Sequence, residues 1–200
     1  MERPTDHLAL FLDVPRPGTL KPELTREVGD QQALRLYRLL VSRALDLARG
    51  LELPRTVWYT PAEAGPEMRR WLGSEESLRP QASGDFGARL ATASRAVEPG
   101  TRWLAVWGDQ PGLTAEILVE ARDLLRAYPA VIGPTSQGGI YLFGGLSPIA
   151  EPDPPLPWGT PRLLQVMRDG FRTRGTPFAE VSMLRALVNG ADARAAGLLT

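Results

Sequence analysis

Two hundred residues fit one domain, and a chain of this length buries about two-thirds of its unfolded surface, enough for a core without covalent staples. The lack of cysteine excludes disulfides, thiolate metal sites and cysteine nucleophiles, and the single histidine, His7, excludes a two-histidine zinc site within the chain. Acidic and basic residues balance at 23 each, and no apolar run approaches the roughly 20 residues of a membrane span. Neither nucleic acid nor a membrane is therefore expected as a partner. The opening residues lack a basic-then-apolar signal pattern, so the expectation is a soluble, cytoplasmic domain spanning residues 1–200.

Strand-like and helix-like segments alternate along the chain. His7 to Val14 is a short apolar run ended by Pro15 and reads as a buried strand. A loop containing Pro15, Pro17, Gly18 and Pro22 follows. From Gln31 to Arg49, Tyr37, Leu40, Val41, Ala44 and Ala48 recur at helical spacing, and Gly50 stops the helix. Arg55 to Tyr59 is a second strand, and Pro66 opens a short helix closed by Gly73. Phe86 to Ala96 reads as a helix and Thr101 to Trp107 as the next strand. Thr114 suits the N-cap of a helix that buries Ile117, Leu118, Ala121, Leu124 and Leu125. Ala130 to Ile132 and Gly139 to Phe143 are strand-like. Thr160-Pro161 predicts another helix start, and a last helix is expected from Ser182, bent or broken at Gly190. This alternation predicts an α/β fold with a mostly parallel sheet, whose ligands bind beyond the carboxyl ends of the strands.

Four loops stand at such positions. Pro15 to Lys21 joins a glycine, Gly18, to the sole lysine of the chain, a pairing able to approach phosphate. It lacks Walker spacing, and a proline-rigid turn with a solvated lysine explains it equally well. Gly84-Asp85-Phe86-Gly87-Ala88-Arg89, after Gln81, reads either as a helix cap or as a small-residue loop against a nucleoside. Gly108-Asp109-Gln110-Pro111 is the sharpest: a strand delivers a carboxylate to a place suited to Mg²⁺ or Mn²⁺ on a diphosphate. Gly138-Gly139 before Tyr141 suggests close approach of a ligand or a plain turn.

In order, PxPGxxK, PQxxGDxGxRL, GDQP, GPxxxGGxYL and PWxT resemble the bacterial nucleotide-diphospho-sugar transferase-like proteins of GT-A type. These are distantly similar to the molybdenum-cofactor nucleotidyltransferases. The resemblance spans roughly residues 8 to 170. It implies a GT-A, Rossmann-like three-layer α/β/α sandwich, and a nucleotide-sugar or nucleoside triphosphate with Mg²⁺ or Mn²⁺. It also implies transfer of a sugar or nucleotidyl group to an unknown small-molecule acceptor. By resemblance, Lys21 and Asp109 are the catalytic residues, touching phosphate and metal respectively. Gly18, Gln81, Gly84, Asp85, Gly87 and Arg89 fall on the nucleotide side, and Gly138, Gly139 and Tyr141 on the acceptor side.

The departures from that pattern are Asp13 where a lysine is usual, and Pro22-Glu23 where a basic run is usual. Gln137 replaces an acid, and Glu180-Val181-Ser182-Met183 replaces a DxDT-like segment. Arg16 or Arg26 are candidates to restore the charge, and Glu180 the carboxylate. Removing one group that stabilises charge in the transition state commonly costs about 10²–10³ in rate. Two readings follow: a metal-dependent transferase, or a degenerate relative that binds a nucleotide or a protein without chemistry.

Overall fold

The computed structural model describes residues 5–150 and 155–199. Strands β1 (Asp6–Asp13), β2 (Arg55–Thr60), β3 (Leu78–Pro80), β4 (Arg102–Trp107), β5 (Ala130–Pro134), β6 (Ile140–Leu146) and β7 (Ala179–Glu180) form one sheet in the order β3-β2-β1-β4-β6-β5-β7. Only β6 runs against the rest, pairing antiparallel with β4 and β5. The first, second and fourth strands are parallel neighbours. The strand at Ala130 is held apart from β4 by β6, which follows it in sequence and folds back beside it.

The helices are α1 (Pro22–Val28), α2 (Asp30–Gly50), α3 (Gly65–Leu72), α4 (Phe86–Ser94), α5 (Ala115–Leu124), α6 (Leu163–Thr173) and α7 (Gly190–Ala195). Alternation along β1 divides them between two faces. Leu8, Leu10 and Leu12 join Tyr37, Val41 and Ala44 of α2, Met68 of α3 and Leu118 of α5 in one buried cluster. Ala9 and Phe11 face the other way, onto Leu90 and Ala93 of α4. Ile132 and Ile140 pack on Leu163, Leu164 and Met167 of α6. Each fully buried leucine or isoleucine contributes about 1.5–3 kcal/mol, so the three layers are held by apolar contact on both faces. The result is the expected α/β/α sandwich.

Three segments differ from expectation. Pro22 sits in the first turn of α1 instead of a loop, a position where its missing N–H costs nothing. Thr160 does not cap α6; the chain makes a turn there and the helix begins at Leu163. Residues 181–188 are extended, not helical, because their backbone bonds to neighbouring chain: Val181 N–H donates to Ile132, Leu184 N–H to Pro134, and Ser136 N–H to Leu184. Among the described residues no helix is long and apolar enough to cross a membrane.

On the far side of α2, Glu76 has a side chain only 1% exposed and accepts hydrogen bonds from Arg49 Nε at 2.9 Å and Arg55 Nε at 3.0 Å. Burial works to raise its carboxyl, but the two guanidinium groups outweigh it and hold the group below its ordinary 4.5. Stability from a carboxylate lowered in this way is fully present above 4.5 and is lost as pH falls through the folded value. Glu76→Gln is expected to destabilise the fold by about 2–4 kcal/mol at pH 7, since it removes the buried anion that Arg49 and Arg55 share and leaves Arg49 with Asp46 alone. Urea melts should show that gap narrowing as pH drops below the ordinary glutamate range. A gap that stays constant down to acid pH would show that charge is not what Glu76 contributes.

Candidate active site

Tyr37, buried in α2, grips the carboxyl end of β1: its hydroxyl donates to the Asp13 carbonyl at 2.9 Å and accepts from the Asp13 N–H at 2.7 Å. At the end of β4, Gly108 turns the chain directly against Leu12. A Cβ there would lie 2.3 Å from Leu12 Cδ2, the far end of a side chain that would have to turn aside, so glycine suits the close approach of the two strand ends. Asp13 and Asp109 are thereby brought to one place on the carboxyl edge. Although Asp13 opens to solvent, the protein packed around its carboxyl group and the negative Asp109 push that group above the usual range, against Lys21 and Arg89.

Lys21 meets them from the loop before α1. Its backbone is left-handed (φ 41°, ψ 70°), a conformation costing a non-glycine residue about 1–3 kcal/mol and held only where its surroundings over-determine it. Those surroundings are clear. Its ammonium Nζ lies 2.6 Å from Asp109 Oδ2 and donates to the Leu187 carbonyl at 2.7 Å. With the side chains about a fifth exposed, this is a sheltered ion pair, yet one that still faces open space.

That space is a cavity of about 890 Å³ whose walls include Lys21, Asp109, Gly139, Trp158, Thr160 and Arg185. A second cavity of about 260 Å³ lies beside it, bounded by Asp13, Tyr37, Gln81, Arg89, Trp107 and Asp109. Asp109, Phe86 and Trp107 belong to both. Phe86 stacks on Trp107 with ring centres 4.8 Å apart and meets Trp158 at 5.3 Å, giving the larger cavity an aromatic wall.

The residues singled out in the sequence divide into two groups. Lys21, Gln81, Arg89, Asp109, Gly139 and Tyr141 line the cavities. Gln81 is also an anchor, its amide donating to the carbonyls of Leu12 and Trp58 while its oxygen accepts from Arg89. Gly18, Gly84, Asp85, Gly87 and Gly138 line neither, and their work is positional. The Gly18 N–H is engaged by Asp30, and Asp85 caps α4 by accepting from the Ala88 N–H at 2.8 Å. Gly84 turns left-handed into that cap, its carbonyl accepting from Arg89 Nε, and Gly87 is buried in the first turn of α4. Gly138 docks against Pro161.

Arg26 lines neither cavity, and the other two candidates for restored charge are engaged elsewhere. Arg16 pairs with Glu63 and Glu67, and Glu180 pairs with Arg168 at 2.6 and 2.7 Å. Neither Glu180 nor Ser182 reaches the cavity; Ser182 offers its carbonyl to the Tyr141 hydroxyl. Gln137 does line it, spending its amide on the backbone of Ala186. Asp192 and Arg185 also line the cavity and went unread in the sequence, because the segment holding Arg185 carried a helical apolar spacing; Gln110, noted there only as part of the strand end, lines it too. Among the described residues no three acidic, histidine or cysteine side chains gather as a ready-made metal cage.

Comparison with known proteins agrees with this architecture. A profile of the family described as an uncharacterized protein conserved in bacteria (DUF2064) matches residues 44–160. No curated protein matches the sequence. Among solved structures, a candidate nucleotide-diphospho-sugar transferase from Desulfovibrio desulfuricans G20 is similar over 94% of this chain and 84% of its own, at 24% identity and a TM-score of 0.84. Rv0371c of Mycobacterium tuberculosis H37Rv, solved in complex with manganese, covers 97% of this chain and 98% of its own, at 15% identity and a TM-score of 0.56. The 4-diphosphocytidyl-2C-methyl-D-erythritol synthase of Anaerococcus prevotii covers 96% and 94%, at 12% identity and a TM-score of 0.58. The fold is that of the nucleotide-diphospho-sugar transferases.

Proposed function

The chain belongs to the bacterial DUF2064 family, and from that premise we propose that it is a cytoplasmic, metal-dependent transferase. It binds a nucleotide-diphosphate sugar or a nucleoside triphosphate and passes the sugar or nucleotidyl group to a small-molecule acceptor. The observation that carries this reading is the Lys21–Asp109 pair at the border of two cavities. In it the diphosphate lies at that pair, the nucleoside lies toward Gln81 and Arg89, and the acceptor enters the larger cavity beside Gly139 and Tyr141.

The residues present fit a divalent cation of a particular kind. A hard cation such as Mg²⁺ commonly takes one or two carboxylates and completes its shell with substrate phosphates and water, so Asp109 suffices for one that arrives with the nucleotide. Bound there, the cation would supply positive charge against the departing diphosphate. Lys21 supplies further charge from a fixed position, which needs no reorganisation as negative charge develops. The structure of the manganese complex of Rv0371c supports this choice by analogy of fold.

A second reading has its own observation. Asp109 Oδ2 is already engaged by an ammonium, and no cluster of metal ligands exists among the described residues. A relative that binds nucleotide without transferring anything would look like this. Calorimetric titration of nucleoside diphosphates of each base, with and without Mn²⁺, separates the two. The transferase reading expects at least one of them to bind more tightly with metal. Binding indifferent to metal, or none at all, would remove it.

A further inference from the structure

Arg185 differs from Lys21, the other cation of the larger cavity. Lys21 is already matched by Asp109, whereas the guanidinium of Arg185 is held by one edge only. Its Nε donates to Asp192 Oδ1 at 2.5 Å, its side chain is 56% exposed, and its two terminal nitrogens have no partner among the described residues. The anchor is firm. Asp192 is only 3% exposed, and its other oxygen accepts from the N–H groups of Val188 and Asn189 at 3.0 and 3.1 Å. Burial works to raise this carboxyl, but the Arg185 bond and those two amides hold it below the usual range, so it stays ionised.

The backbone beneath Arg185 is equally constrained. Gln110, one residue after Asp109, donates its amide to the Arg185 carbonyl at 2.9 Å. Gln137 brackets the next residue, donating to the Ala186 carbonyl and accepting from its N–H, each at 3.0 Å. Two side chains from the strand-end loops after β4 and β5 thus clamp an extended segment whose outward product is a half-satisfied guanidinium in the cavity wall. A solvated surface arginine requires none of this. Exposed guanidinium nitrogens held in a fixed fork are suited to the planar oxygens of a carboxylate or phosphate.

We infer that Arg185 forms a second anion subsite, separate from the diphosphate position at Lys21, and that it receives a carboxylate or phosphate group on the acceptor. This rests on the larger cavity being the acceptor's side in the reading above. The aromatic wall of Phe86, Trp107 and Trp158 in the same cavity suits a flat or apolar body attached to that anion.

Phenyl phosphate and benzoate are suitable probes, titrated into the full chain and into Arg185→Gln and Arg185→Lys, alongside the best-binding nucleoside diphosphate. At least one probe should bind, and Arg185→Gln should weaken it about tenfold or more, the loss expected for a charge-assisted pair of bonds. Arg185→Lys should recover only part of that affinity, because an ammonium keeps the charge without the fork. Nucleoside diphosphate affinity should stay unchanged in both variants, and the tighter probe identifies the acceptor's anion as phosphate or carboxylate. Failure of both probes on the full chain, or probe binding indifferent to Arg185→Gln, would overturn the inference. So would equal loss of nucleotide and probe, which would put Arg185 in the diphosphate position. If no nucleoside diphosphate binds while a probe still depends on Arg185, the transferase reading fails and the anion subsite stands.

Discussion

Replacing Asp109 with asparagine is expected to abolish the gain in nucleotide affinity conferred by Mn²⁺ or Mg²⁺ and to lower transfer by about 10²–10³-fold, the range for loss of one group that stabilises transition-state charge. The carboxamide keeps the shape and can still accept a hydrogen bond from Lys21, which lies 2.6 Å from Asp109 Oδ2. It lacks the anionic charge that a hard cation requires. Some stability is lost as well: removing the charge from a sheltered pair costs about 1–3 kcal/mol, between the values for exposed and buried pairs. The Leu187 carbonyl remains as a partner for the ammonium, which limits that loss. Lys21→Gln provides the contrast. It should weaken diphosphate-bearing ligands and leave free nucleosides unaffected, since only the former need its charge. Titrations in which Asp109→Asn still shows the full metal-dependent gain would free Asp109 of its assigned role. Such a result would also favour binding without chemistry.

The parts of this site that were legible in the sequence are those made by local rules. The apolar run of β1, the Thr114 cap and the strand end at Gly108-Asp109 each follow from a few adjacent residues, and each is found where expected. Asp85 showed its limits: capping and nucleoside binding use the same residue type in the same place, and the Ala88 N–H resolves the choice toward the cap. The meeting of Lys21 with Asp109, 88 residues later, follows from strand order and could be anticipated only through resemblance. Residues 181–188 defeated local reasoning altogether. Met183, Leu184, Leu187 and Val188 have the spacing of a helical stripe, but pairing of Leu184 with Pro134 and Ser136 draws the chain out straight. Leu187 is then buried against Leu24 and Leu36 by tertiary packing alone. Arg185 was hidden for the same reason, since its place in the cavity exists only once that segment is extended.

The largest effect on stability is expected at a residue that touches no ligand. Gly138→Ala should destabilise the fold by roughly 3 kcal/mol or more, combining left-handed strain with overpacking. Its backbone is at φ +82°, and a Cβ would lie 2.0 Å from the Pro161 carbonyl oxygen and 2.8 Å from the carbonyl carbon. Backbone cannot move aside as a flexible side chain would. Gly138 is also bonded in both directions, its N–H to the Thr135 carbonyl at 3.0 Å and its carbonyl to the Leu164 N–H at 2.9 Å, so the turn before β6 and the start of α6 are fastened together here. Pushing Pro161 away would displace Trp158 and Thr160, which form one wall of the larger cavity. Loss of acceptor-probe affinity should therefore accompany the loss of stability. Gly159→Ala separates the causes. Gly159 has a similar left-handed backbone, φ +73°, but no atom within 4 Å of an added Cβ, so it carries the strain of about 1–2 kcal/mol and no clash. Chemical denaturation of both variants should show Gly138→Ala losing clearly more than Gly159→Ala. Equal losses would mean that Pro161 yields at little cost, and that the cavity wall is not pinned at Gly138.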